Sequence, residues 1–191
     1  MIPRHYVDLN LQNGGRGAGL PPPVLAGAAL RVLHGVFKQQ PSRYALALPG
    51  FTEAPFAKLR VFAGDRDDLD VLQEAVSGHH VFQNQVQLGY PRKVGQNYEG
   101  PWLRYARYRI PSRKAGRHPE DGLRQRRMLQ ADERRLPYFI INSQSTGQQF
   151  GLYIAIDSVE PPAEWQNRDI EPDSYGLSVA SRAFSLPDLP I

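Results

Sequence analysis

Residues 6–50 read YVDLNLQNGGRGAGLPPPVLAGAALRVLHGVFKQQPSRYALALPG, and the opening unit of the fold is legible in them. Val7, Leu9 and Leu11 alternate with polar residues, the period-2 pattern of a half-buried strand. Asn13 to Gly19 reads as a loop, and Pro21, Pro22 and Pro23 lead into a helix. Along it Val24, Ala28, Val32 and Val36 recur every four residues, flanked by Leu25, Ala29 and Leu33, which predicts an apolar stripe facing a core. Gln39, Gln40 and Pro41 end the helix. Tyr44, Leu46 and Leu48 alternate before Pro49-Gly50, giving a second strand.

Working outward, Leu59 and Val61 begin a third strand. Gly64-Asp65 starts a second helix with Leu69, Leu72 and Val76 on one face and acids in its first turn. Val86, Leu88 and Tyr90 make a fourth strand. Strand, helix, strand, strand, helix, strand is the ferredoxin-like pattern, and it spans about the first half of the chain. Many RNA-binding proteins and many enzymes use it, so the pattern alone assigns no function.

The second half differs. Gly95 to Pro101 reads as a linker or loop. Trp102, Tyr105 and Tyr108 interleave with Arg104, Arg107 and Arg109, which suits either base stacking with phosphate contacts or an ordinary edge strand. A short helix is expected from Pro119, with Glu120 and Asp121 behind it and Arg124, Arg126 and Arg127 following; Gly122 weakens it. Tyr138 to Ile141 reads as a buried strand. A polar turn, Ser143 to Gln149, separates it from a strand carrying Phe150, Leu152, Ile154 and Ile156. The expected architecture is therefore α+β, with residues 1–94 as one domain and residues 95–191 as a divergent second one carrying an Arg-rich helix and a β-hairpin.

Charge is concentrated. Arg104 to Arg135 holds ten arginines and Lys114 against four acids, an excess larger than the net charge of +4 for all 191 residues. Arginine pairs with phosphate through a rigid fork and stacks on bases, so this segment points to nucleic acid, with an anionic protein partner as the other reading. The chain has no cysteine, which excludes disulfides and thiolate metal sites. The first residues carry no apolar h-region, and no apolar run approaches the roughly 20 residues that span a bilayer. A cytoplasmic location is expected.

Several motifs fail on inspection. Gly15 to Gly19 mimics a phosphate-binding loop but lacks Gly-Lys-Ser/Thr and runs into prolines. Asp65, Asp67, Asp68 and Asp70 lack the glycine and terminal glutamate of a calcium loop, so helix capping fits better. His79 and His80 have no matching acid or thiol pattern for zinc. His34 points away from the Val24-Ala28-Val32 stripe, beside Gly27, Arg31 and Lys38, so it is expected to face solvent or ligand. It reads either as an ordinary surface histidine or as a proton acceptor. Ser143 to Gln148, dense in hydroxyls and amides, reads either as a phosphate or ribose grip or as a plain hairpin turn.

Three segments in order carry a family resemblance: Leu136-Pro-Tyr-Phe-Ile-Ile-Asn-Ser-Gln-Ser-Thr-Gly-Gln-Gln-Phe150, Tyr175-Gly-Leu-Ser178, and Leu33-His34 in the first helix. With these the chain resembles the repeat-processing endoribonuclease of type I-F CRISPR systems over nearly its whole length. The resemblance implies cleavage of a CRISPR repeat RNA at the base of a stem-loop, without a metal or other cofactor, by attack of the RNA's own 2′-hydroxyl. It implies His34 as general base, Ser143 holding the ribose, and Tyr175 placing the histidine. It further implies Ser145 and Thr146 near the phosphate, Gln144 near the adjoining bases, and Phe150 stacked under the last base pair. The Arg-rich helix with Arg124, Arg126 and Arg127 would lie along the hairpin groove, and Arg107 and Arg109 near the stem base. The family has a glutamine where Arg109 falls, and this chain is shorter between Arg109 and Ser143. The implied partners are the crRNA, retained as product, and other subunits of a type I-F effector complex, the chain being a monomer on its own. The rival expectation is a catalytically silent hairpin-binding subunit.

Overall fold

The structure, a computed structural model, describes residues 1–12, 19–111, 122–142 and 147–191. It is α+β, as expected. The first half follows the order β1 (His5–Leu11), α1 (Pro22–Gln39), β2 (Tyr44–Ala47), β3 (Lys58–Ala63), α2 (Arg66–Ser77), a short α3 (His80–Asn84) and β4 (Val86–Leu88). These strands form an antiparallel sheet in the order β2-β3-β1-β4, with β5 (Arg92–Lys93) pairing on the start of β1. Tyr90 lies outside β4 and is fully solvated, so the fourth strand is shorter than its alternation suggests.

The second sheet contains β6 (Trp102–Tyr108), β7 (Tyr138–Asn142), β8 (Gln149–Val159) and β9 (Leu186–Pro187), in the order β7-β8-β6-β9. The Arg-rich helix α4 runs Leu123–Glu133. Gly122 is not inside it, as the sequence suggested, but caps it at φ +52°, a left-handed conformation that glycine adopts without the Cβ clash. The proposed start at Pro119 lies outside the described residues. A 3₁₀ turn, Trp165–Asn167, precedes the C-terminal segment.

The core face of α1 departs from the predicted stripe. Val24, Ala28 and Val32 are only half-buried, whereas Leu25, Ala26, Gly27, Ala29, Leu30, Leu33, Val36 and Phe37 are buried. The helix packs beside α2 and α3 and also lies against β7 of the second sheet. Gly27 sits so close to β7 that a Cβ there would collide with the carbonyl of Ile140. One apolar cluster consequently runs through both halves, from Val7, Leu9 and Leu33 to Phe139, Leu152 and Leu189.

A buried charge fastens the end of the chain to the first sheet. Arg60 on β3, 1% exposed, donates from Nε to Asp8 Oδ1 at 2.6 Å and from Nη2 to Asp8 Oδ2 at 3.1 Å. Its remaining donors reach the carbonyls of Leu189 at 2.8 Å and Pro190 at 3.0 Å. Lys58 adds a contact to Asp8 at 3.3 Å. A buried guanidinium is tolerated because its donors are matched this completely. Among the described residues no helix is long and apolar enough to cross a membrane.

Burial alone would raise the Asp8 carboxyl, but the hydrogen bonds and charge of Arg60, with Lys58, outweigh it and hold Asp8 below its ordinary value of 3.8. A depressed folded value stabilises above the unfolded value, and that contribution is lost as pH falls through the folded one. Urea midpoints for the wild type should therefore drop once pH falls below about 4. Asp8→Asn should be less stable at neutral pH and show a smaller drop over the same window.

Candidate functional site

His34 is half-buried on the fourth turn of α1, between buried Leu33 and exposed Gly35. Its Nδ1 lies 2.6 Å from the carbonyl oxygen of Ser174, and its ring stacks on Tyr175 with centroids 4.1 Å apart and planes 9° off parallel. A carbonyl oxygen can only accept, so this contact puts the proton of a neutral imidazole on Nδ1 and leaves Nε2 as the nitrogen with a free lone pair. The guanidinium of exposed Arg107 stands 5.8 Å from the centre of the Tyr175 ring, within cation–π range. Burial pushes the Tyr175 hydroxyl up and Asp173 adds to this against the opposing pull of Arg107, so the phenol stays neutral near pH 7.

Tyr175 reaches His34 because of the turn that holds it. Gly176 has φ +77°, and a Cβ there would stand 2.8 Å from the Leu46 amide nitrogen. Only glycine permits that approach, through which Leu46 N–H on β2 donates to the Gly176 carbonyl at 2.8 Å. Two residues on, Ser178 N–H donates to the Tyr105 carbonyl of β6 at 2.8 Å. Residues far apart in sequence, on α1, β6 and the C-terminal segment, thus meet at one place.

The other expected residues fall into two groups. Arg109 and Arg107 are both exposed, beside Arg104 along a groove that residues 178–183 close on the other side. Arg107 shares with Phe150 the sheet face turned toward the core, as strand alternation and the β6-β8 register require. Phe150 itself is half-buried and packs on the main cluster. Arg104 points to the opposite face, where α4 packs. Ser143, Gln144, Ser145 and Thr146 lie outside the described residues. The strands on either side of them, β7 and β8, are joined at their ends by Gln149 Nε2 donating to Asn142 Oδ1 at 3.2 Å.

α4 is mostly solvated and rests on the second sheet through Ala131, which joins Tyr108, Leu136 and Ala155 in a small separate cluster. Tyr108 anchors it further: its hydroxyl contacts the Gln130 Oε1 at 2.9 Å and the Arg127 carbonyl at 3.2 Å. Arg127 places its guanidinium 5.2 Å from the Tyr108 ring centre. Arg126 is exposed, while Arg124 donates to the Pro111 carbonyl. Asp157 accepts from both Arg104 at 3.3 Å and Arg134 at 2.9 Å, tying β6, β8 and the end of α4 together. Arg104, Arg124 and Arg134 therefore have structural partners that the charge pattern did not reveal.

Sequence reasoning missed Asp173 and the Ser174 carbonyl. An Asp followed three residues later by Gly is a turn signal, but nothing in it says which side chain the turn will face.

Fold and site define an α+β protein in which a stacked His34–Tyr175 pair lies under the guanidinium of an exposed arginine, Arg107. Residues 6–187 match the family described as CRISPR-associated protein (Cas_Csy4), and the chain belongs to this type I-F CRISPR repeat-processing endoribonuclease family. It is accordingly a CRISPR endonuclease family member that binds and processes CRISPR repeat RNA. No individual curated protein matches the chain.

Because the Tyr108 hydroxyl donates its one proton to an acceptor on α4, either Gln130 Oε1 or the Arg127 carbonyl, Tyr108→Phe should cost about 1 kcal/mol. Amide hydrogen exchange should quicken in α4 and not in α1; unchanged protection of α4 would show that Ala131 packing alone holds it.

Proposed function

We propose that the protein cuts CRISPR repeat RNA at the base of a stem-loop by attack of a ribose 2′-hydroxyl, and that it then keeps the crRNA. The observation that carries this is His34: one ring nitrogen is tied to Ser174, the ring is clamped by Tyr175, and Nε2 is left with its lone pair. In this reading Nε2 takes the 2′-hydroxyl proton as the 2′-oxygen attacks the adjoining phosphorus. The bond to the 5′-oxygen breaks, that oxygen takes a proton from water, the imidazolium returns its proton to the hydroxide left behind, and the products are a 2′,3′-cyclic phosphate and a 5′-hydroxyl. No step uses a metal or another cofactor.

Ser143 would hold the ribose in line for attack, with Ser145 and Thr146 near the phosphate and Gln144 near the adjoining bases. Phe150, at the start of β8, would stack under the last base pair. Arg107 and Arg109 would contact the stem base, and Arg124, Arg126 and Arg127 on α4 the groove, which opens near a helix end. Residues 1–94 would thus bring the histidine and residues 95–191 the grip on the hairpin. The chain would act in the cytoplasm as a monomer that joins the other subunits of a type I-F effector complex.

Cleavage of the cognate hairpin in EDTA, by wild type and by His34→Ala, tests the chemistry. Wild type should cut, and the variant should bind with unchanged affinity while cutting at least about 100-fold more slowly. A wild type that binds but never cuts would establish the silent-subunit reading. A variant that cuts normally would remove His34 from the mechanism.

Binding should weaken steeply with salt, since each phosphate contact releases counterions. Arg109→Ala should lower the magnitude of the slope of log K against log salt by about 1. An unchanged slope would place Arg109 off the RNA backbone.

A further inference from the structure

The contact that gives His34 a defined tautomer comes from the carbonyl of exposed Ser174, outside any helix or strand, and such a group needs something to hold it. Asp173 does so. Its Oδ1 accepts from the N–H of Tyr175 at 2.8 Å and from the N–H of Leu177 at 2.9 Å. Its own N–H donates to the Leu177 carbonyl at 2.9 Å, and its carbonyl accepts from Gly176 N–H at 2.9 Å. Side chain and main chain of one residue thus close the loop 173–177 on itself. Ser174, the residue between Asp173 and Tyr175, is left with its carbonyl directed at the imidazole.

We infer that Asp173 is a positioning residue for cleavage: by closing this turn it holds the Ser174 carbonyl against Nδ1 and so keeps Nε2 of His34 free of its proton. The inference rests on the reading of His34 as general base and adds how its tautomer is set. A neutral imidazole carries one N–H and can place it on either nitrogen. With the turn closed, Nδ1–H donates to Ser174 and Nε2 is the acceptor. With the turn open, the ring distributes between tautomers and rotates, and the Nε2–H form has no lone pair to offer a 2′-hydroxyl. Asp173 does this without touching RNA. The two outer fastenings, Leu46 to Gly176 and Ser178 to Tyr105, hold the turn in place but do not involve Ser174.

The test uses the full chain with Asp173→Ala and Asp173→Asn. Asn keeps a side-chain oxygen that accepts from the same two N–H groups, whereas Ala removes it. Two readouts are taken: nitrogen-15 shifts of the His34 ring in the free protein at alkaline pH, and the single-turnover cleavage rate at saturating hairpin. Wild type should show the Nδ1–H tautomer. Asp173→Ala should show a substantial Nε2–H population and cut about 10- to 100-fold more slowly, with hairpin affinity unchanged. Asp173→Asn should restore both tautomer and rate. The inference is overturned if Asp173→Ala keeps the wild-type tautomer and rate, or if Asp173→Asn is as impaired as Ala. Should the Ala variant not fold, the wild-type spectrum decides, since an Nε2–H imidazole there contradicts the inference. If the Nδ1–H tautomer is found and lost as expected while His34→Ala still cuts normally, the turn works as described and the assignment of His34 as base fails.

Discussion

The hydrogen bond from Leu46 N–H to the Gly176 carbonyl is the constraint on which the site depends. β2 is an edge strand, and an edge strand leaves main-chain donors that must find a partner. Here the partner is a stretch of chain about 130 residues downstream. The approach is so close that position 176 cannot carry a side chain, and its φ of +77° excludes most residues independently. Once Gly176 is placed, Tyr175 has little choice but to lie over His34, and Ser178 continues onto β6. The first sheet, the second sheet and the histidine are brought into register by a single turn.

The same C-terminal segment is anchored again by Arg60, whose matched donors hold the carbonyls of Leu189 and Pro190. This shows how one residue type serves two ends. Arg60 is buried and ion-paired, and Arg104, Arg124 and Arg134 satisfy Asp157 or a main-chain carbonyl. Arg107 and Arg109 instead stand exposed, Arg107 with its guanidinium over the Tyr175 ring beside His34. Net charge makes no distinction between these roles, because a guanidinium has the same charge whether it is a strut or a phosphate contact.

Much of the fold was legible from periodicity. β1, β2, β3, α2, β7 and β8 lie where alternation or helical spacing puts them, although β2 and β3 are buried along nearly their whole length rather than on one face. α1 was read less well. Its valine stripe is the most regular pattern in the sequence, yet the buried face is centred elsewhere, since β7 covers a second side of the helix and Gly27 lets it come close. Gly122 reads as a weak helix interior and is a helix start, a difference set by one left-handed φ. β9, β5 and the buried Asp8–Arg60 pair left no local signal, because short strands and ion pairs are defined by partners distant in the chain.

The sequence by itself determined the α+β class, the concentration of positive charge, and the residues His34 and Tyr175 as candidates. Composition and short-range periodicity suffice for the first two, and ordered motifs for the last. Only the tertiary structure decided that the two rings stack, which nitrogen of His34 faces a main-chain acceptor, and that Asp173 shapes the turn between them. Those facts depend on distances between segments that the chain brings together only on folding. A hydrogen bond of 2.6 Å leaves no trace in the spacing of residues 140 positions apart.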